Sequence, residues 1–255
     1  MTVNILDLGD AALTLEFGDR IDPALQAEVH ALDLAIETAC ADGRLAGIVE
    51  TVPTFRSLTV VFDPLRTDRA ALIASLRTLI PERGLAPTPV AGRHWRLPAC
   101  YEGDAAPDLA ATATATGLRP EQIVSLHSET DYVVYMLGFL PGFPFMGDVA
   151  APLRLPRRST PRTRVPAGSV AIATGLTAIY PWESPGGWHL IGRCPVPLFN
   201  VRNASPALLR AGDRVCFQPV SPATFASLAE ALEHGELDPE RWCTQDGPTP
   251  PDASR

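Results

Sequence analysis

The first residues alternate apolar and polar positions: two short stretches, 4–7 and 11–17, flank Gly9-Asp10, and Leu13, Leu15 and Phe17 share one face of the second. A period of two around a Gly-Asp turn predicts a half-buried β-hairpin. The period then changes. Asp22 followed by Pro23 is a helix-start signal, and Leu25, Val29, Leu32, Leu34 and Ile36 recur at helical spacing until Gly43, which predicts an amphipathic helix. Two more strands are predicted at 47–52 and 57–62, and helical spacing returns over 67–79 through Leu72, Ile73, Leu76 and Leu79. The order ββαββα within residues 1–80 predicts a small α+β domain whose helices cover one face of an antiparallel sheet.

Residues 81–91 hold three prolines and no periodicity, so they read as a linker. A strand at 94–97 and two short helices at 107–116 and 120–127, separated by Gly117, are predicted next. From Asp131 onward short β-rich pieces at 132–139, 169–173, 187–192 and 214–217 alternate with Pro/Gly turns. That pattern predicts a mainly β second domain over 92–240, a barrel or a sandwich. The Pro/Asp/Ser-rich residues 241–255 are predicted to be a disordered tail.

Composition narrows the function classes. Of 255 residues 46% are hydrophobic and 20% charged, with a formal net charge of −8. A globular chain fits this balance, and a surface built to hold nucleic acid or an anionic membrane does not. The first residues lack a basic start followed by an apolar run, and no stretch approaches the roughly 18 apolar residues of a membrane helix. Five scattered cysteines, Cys40, Cys100, Cys194, Cys216 and Cys243, never form C-x-x-C. Isolated thiols in a reducing, cytoplasmic setting are the expectation.

Motifs with strong mechanisms are absent from the sequence: no Walker phosphate loop, no G-x-G-x-x-G, no H-E-x-x-H and no G-x-S-x-G. His127-Ser128-Glu129 has the H-x-E of zinc deaminases without the partnering P-C-x-x-C. No metal site is expected. Three dense blocks remain. In Gly138-Phe139-Leu140-Pro141-Gly142-Phe143-Pro144-Phe145-Met146-Gly147, glycine and proline exclude helix and regular strand, leaving a fixed loop facing a ligand or a rigid corner with its phenylalanines in the core. Five arginines fall within 154–164 of this acidic chain, as an anion clamp or as a solvated, ion-paired loop. The third block runs from Tyr180 to Arg193 and combines Trp182, Glu183, Ser184, Gly186, Gly187, Trp188 and His189, the mixture that lines small polar-ligand sites and also turns beside a core tryptophan. His127, ending a predicted helix, is a general base or a satisfied structural histidine.

These residues resemble the family of the bacterial 5-oxoprolinase B subunit, also known as allophanate hydrolase subunit 1 or sporulation-kinase inhibitor. The resemblance rests on Gly9-Asp10-Ala11-Ala12-Leu13, Pro53-Thr54-Phe55-Arg56-Ser57-Leu58, Asp63-Pro64, Cys100-Tyr101, Pro107-Asp108-Leu109, His127, Tyr132, Gly138 to Phe143, Pro161-Arg162, Val165 to Val170, Ile179-Tyr180-Pro181 and Ser184-Pro185-Gly186-Gly187-Trp188. It implies a cyclophilin-like β-barrel behind the small α+β domain. It also implies ATP-dependent opening of 5-oxo-L-proline to L-glutamate together with the A and C subunits of 5-oxoprolinase, with no activity of the chain alone, and with ATP as a co-substrate carrying Mg²⁺. Within that scheme His127, Arg162 and Arg193 take catalytic roles, His127 handling a proton and the arginines neutralising phosphate or carboxylate. Gly142, Phe143, Arg164, Ser169, Thr177, Tyr180, Ser184, Gly186, Gly187 and Trp188 take substrate-binding ones. Residues 174–178 depart from the family pattern: Leu176 replaces an amide, and His189 and Cys194 stand where Gln and Thr are usual. Two other readings accompany the resemblance, a binding module that inhibits a histidine kinase and a subunit acting on allophanate or another amide.

Overall fold

In a computed structural model that describes residues 3–80 and 92–244, the chain divides into two compact units, Met1–Ala91 and Gly92–Arg255. The expected linker at 81–91 and most of the expected tail, 245–255, lie outside the described residues.

The first unit runs β1 (Asn4–Asp7), β2 (Ala12–Glu16), α1 (Pro23–Ala41), β3 (Ile48–Pro53), β4 (Ser57–Phe62) and α2 (Arg69–Leu79). Its sheet has the order β1-β2-β4-β3 with antiparallel neighbours throughout. Both helices begin where their caps predict. Asp22 accepts the Ala24 N–H ahead of Pro23, and Asp68 accepts the Ala71 N–H, so each aspartate satisfies an otherwise orphaned donor. Leu58, Val60 and Phe62 alternate inward along β4, as Leu13 and Leu15 do along β2. Val29, Leu32, Ile36 and Ala39 of α1 pack in the same core. Burying a side chain of this size stabilises the fold by about 1.5–3 kcal/mol.

The second unit is built on one eight-stranded sheet. Its strands are β5 (His94–Ala99), β6 (Tyr132–Leu137), β7 (Pro144–Gly147), β9 (Ser169–Ala173), β10 (Leu176–Ile179), β12 (His189–Arg193), β13 (Arg214–Pro219) and β14 (Cys243–Thr244). They are ordered β12-β9-β10-β7-β6-β13-β5-β14, while β8 (Arg162–Val165) and β11 (Ser184–Gly186) form a separate two-stranded ribbon. Helices α3 (Leu109–Thr116), α4 (Pro120–Ser128) and α5 (Pro222–Glu233) complete the unit. The fold is therefore mixed α/β with several sheets.

The β-barrel expectation is corrected in one respect: among the described residues the sheet does not close. β14 pairs with the start of β5 at Trp95 and His94, whereas β12 meets the end of that strand only through the single bridge between Cys100 and Arg193. The sheet curls without continuous pairing around its circumference. Regular strand also enters the Gly/Pro block, because β7 pairs Met146 with Val134 and with Thr177. Thr174 and Gly175 turn β9 into β10 with φ of 51° and 89°, the left-handed pair that tight hairpins require. Leu176 then sits 6% exposed on β10 opposite Gly147. The core of the unit joins Trp95, Tyr132, Val134, Ile172, Ile191 and Phe217.

Candidate functional site

The arginine-rich segment is anchored by one carboxylate. Asp108 stands at the N-cap of α3 without capping the helix by its side chain. Instead its Oδ1 accepts from Arg158 Nη1 at 3.1 Å and Arg162 Nη2 at 2.6 Å, while Oδ2 accepts from Arg162 Nη1 at 2.9 Å and the Leu190 N–H at 2.7 Å. Asp108 is 3% exposed. Burial alone would raise its carboxyl pKa, but the Arg162 and Leu190 hydrogen bonds and the charges of Arg162 and Arg158 outweigh it and hold the group below the ordinary value. A charged, two-point arginine pair at a buried carboxylate is a rigid fastening.

Around this fastening lies an aromatic wall. Phe143 is buried and meets Tyr180 edge-on at 5.0 Å, Phe145 at 4.9 Å and Trp188 at 6.3 Å between ring centroids. Arg157 places its guanidinium over the Trp188 ring at 6.0 Å. Burial raises the Tyr180 phenol pKa, while the charges of Arg157 and Arg162 pull it back, so both cations act on that hydroxyl. Gly186 approaches the same hydroxyl so closely that a β-carbon there would collide with it, which explains the glycine. The Ser184 hydroxyl is buried on β11 and has no hydrogen-bond partner.

The expected residues divide between this wall and the interior. His127 is fully buried. The Tyr101 hydroxyl bonds its Nδ1 at 2.8 Å, and its Nε2 bonds Thr177 Oγ1 at 2.9 Å. Because Thr177 Oγ1 donates to the Ala171 carbonyl, a neutral imidazole that accepts from Tyr101 and donates to Thr177 satisfies every member. Burial pushes its pKa down to about 3. Both nitrogens of His127, to which the resemblance gave a proton-handling role, are engaged inside the core.

The arginines expected as an anion clamp or as an ion-paired loop carry ion pairs at two of the expected positions. Arg162 is held by Asp108, and Arg164 pairs with Glu183 through two bonds of 2.9 Å at an exposed position. Arg193 donates to the Ala167 carbonyl and lies over the Phe225 ring. Thr177 and Ser169 are buried, Thr177 inside the histidine chain. Gly142 has φ of 75°, and a β-carbon there would press on Phe199 and the Leu198 carbonyl, so it shapes the loop. Gly187 accepts the Arg158 N–H through its carbonyl at 2.8 Å. Tyr180, Gly186, Gly187 and Trp188 are thus brought together beside Arg157 and Arg158. Sequence reasoning missed Asp108 and singled out no role for Arg157. Asp108 entered only through the Pro107-Asp108-Leu109 match to the family, with no role assigned, and nothing in sequence spacing links it to arginines 50 and 54 residues away.

The Gly/Pro block turns two aromatics outward. Phe139 has φ of 67° and is 67% exposed, a strained conformation for a bulky residue. Trp182 is 46% exposed and donates from Nε1 to the Pro141 carbonyl at 3.3 Å. A separate cleft of about 740 Å³, bordered by Arg93, Phe199, Asn203, Leu232 and Glu240, includes none of the expected site residues. Among the described residues no cluster of His, Cys, Asp or Glu is placed to hold a metal ion, and no helix is long and apolar enough to cross a membrane.

The sequence matches the family described as carboxyltransferase domain, subdomain C and D, over residues 3–209, and the chain belongs to that family. Its relatives include the 5-oxoprolinase B subunit of Bacillus subtilis, 39% identical over 242 residues, which cover 90% of this chain and 99% of that protein. The 5-oxoprolinase B subunit of Haemophilus influenzae is 45% identical over 170 residues, covering 67% of this chain and 78% of its own length. In fold the chain is similar to the solved urea amidolyase of Kluyveromyces lactis, with a TM-score of 0.71 at 20% identity over 92% of this chain and 16% of that one.

Proposed function

We propose that this chain is the B subunit of an ATP-dependent 5-oxoprolinase, acting in the cytoplasm with the A and C subunits to convert 5-oxo-L-proline, ATP and water into L-glutamate, ADP and phosphate. The carrying observation is the 39% identity to the Bacillus subtilis protein across 99% of its length. The names of the relatives favour neither kinase inhibition nor allophanate hydrolysis. In finer detail, the second unit is read as a cyclophilin-like domain behind a small α+β domain.

The chemistry gives the site its task. A lactam carbonyl resists water because its nitrogen donates into it. Phosphoryl transfer from ATP to the lactam oxygen would turn that oxygen into a leaving group. Water then adds at the carbon, the ring C–N bond breaks with a proton passing to nitrogen to leave an acyl phosphate, and a second water cleaves that to the carboxylate and phosphate. A protein surface serves this reaction by holding the ring and balancing charge. The aromatic wall and the arginine segment supply both, and Mg²⁺ would enter with ATP. The exposed Phe139 and Trp182 suit a partner contact, so the chain alone is inactive in this reading. Co-expression with candidate A and C subunits, followed by an ATP-hydrolysis assay, tests it. Hydrolysis stimulated by 5-oxoproline only when all three are present is expected, and a stoichiometric complex without stimulation overturns the proposal.

A further inference from the structure

Arginine in this segment is almost entirely committed. Arg158 and Arg162 bond Asp108, Arg164 bonds Glu183, and Arg154 Nε donates to the Val149 carbonyl. Among the described residues of the segment, Arg157 alone has no hydrogen bond or ion pair; it lies over the Trp188 ring, and its charge also reaches the Tyr180 hydroxyl. The backbone around it is fastened on both sides. His189 Nε2 donates to the Pro156 carbonyl at 2.9 Å, and the Arg158 N–H donates to Gly187 at 2.8 Å. A cation held over an aromatic face by a rigid backbone, with no anion of its own, is preorganised to receive one.

We infer that Arg157, exposed at the edge of the buried Trp188 cluster, receives the carboxylate of a small ring acid, and that Asp108 and His189 are positioning residues for it. This deepens the reading above and rests on it. A single unpaired guanidinium matches a monoanion in two-point geometry. A polyphosphate needs several cations or a cradle of backbone N–H groups, and the neighbouring guanidiniums already direct hydrogen bonds to Asp108, Glu183 and the Val149 carbonyl.

The test uses the reconstituted complex carrying the native chain, Arg157→Gln or Arg157→Lys, with Arg44→Gln as a control at an exposed position of the other unit. ATP hydrolysis is measured against 5-oxoproline, against ATP, and with pyrrolidinone, the same lactam without its carboxylate, as a competitor. Losing a charge-assisted contact raises the KM for 5-oxoproline about tenfold to hundredfold in Arg157→Gln, with partial recovery in Arg157→Lys. The KM for ATP and inhibition by pyrrolidinone stay at parental values. An unchanged KM for 5-oxoproline overturns the inference, and so does a shift confined to the KM for ATP, which would assign Arg157 to phosphate. A native complex that turns over while Arg157→Gln keeps its KM removes this inference alone; a native complex without 5-oxoproline-stimulated hydrolysis removes the oxoprolinase reading and this inference together.

Discussion

Two groups of polar residues in the second unit use similar chemistry to opposite ends. Around His127 every donor meets an acceptor inside the core, from Tyr101 through the imidazole and Thr177 to the Ala171 carbonyl. Around Arg157 the neighbours are equally well fastened, yet the guanidinium itself stays unpaired over Trp188. A closed network contributes stability and leaves nothing for a ligand. An open one, braced by Asp108, keeps a charge available. Residue type therefore does not separate structural from functional groups here; whether the last partner is present does.

The largest effect is expected from breaking the closed group. His127→Leu leaves the Tyr101 and Thr177 hydroxyls short of a buried partner and lowers stability by about 2–4 kcal/mol, read from urea unfolding. The same variant sharpens the acid side of the profile. The folded pKa of His127, about 3, lies below its ordinary value of 6.5, so the unfolded chain binds that proton more readily. Its contribution is intact above pH 6.5 and is lost as the pH falls toward about 3. His127→Leu removes that component, and a wild-type acid slope identical to the variant's would contradict the burial argument.

Breaking the brace of the open group is expected to do less to stability and more to recognition. Asp108→Asn retains the shape but removes the charge facing Arg158 and Arg162, at a loss of about 2 kcal/mol. Both guanidiniums keep contact with water, which places the loss below that of a fully buried pair. In the complex it raises the KM for 5-oxoproline severalfold with kcat little changed, since Asp108 touches no substrate. An effect on kcat alone would refute the positioning role.

Much of the first unit was legible because its periodicities are clean: Leu13 and Leu15 alternate, and Asp22-Pro23 opens α1. In the second unit local signals conflict. Pro144 and Gly147 argue against a strand, yet β7 lies between β6 and β10 and its pairing with both neighbours overrides local preference. Helix α5 was not predicted although Ser221 caps it and Pro222 opens it. The third block was readable as a wall of aromatics and glycines. Which arginine stays free was not readable, because it depends on Asp108 and Glu183, both distant in sequence from the arginines they hold.

The most direct measurement sets one minimal change in each group side by side in the reconstituted complex. Tyr101→Phe deletes only the hydroxyl that faces His127 Nδ1, and Arg157→Gln deletes only the unpaired charge. The account predicts that Tyr101→Phe lowers the unfolding midpoint while the KM for 5-oxoproline stays within about twofold, and that Arg157→Gln keeps the midpoint while that KM rises at least about tenfold. The reverse pattern, with recognition lost at Tyr101 and kept at Arg157, would contradict it.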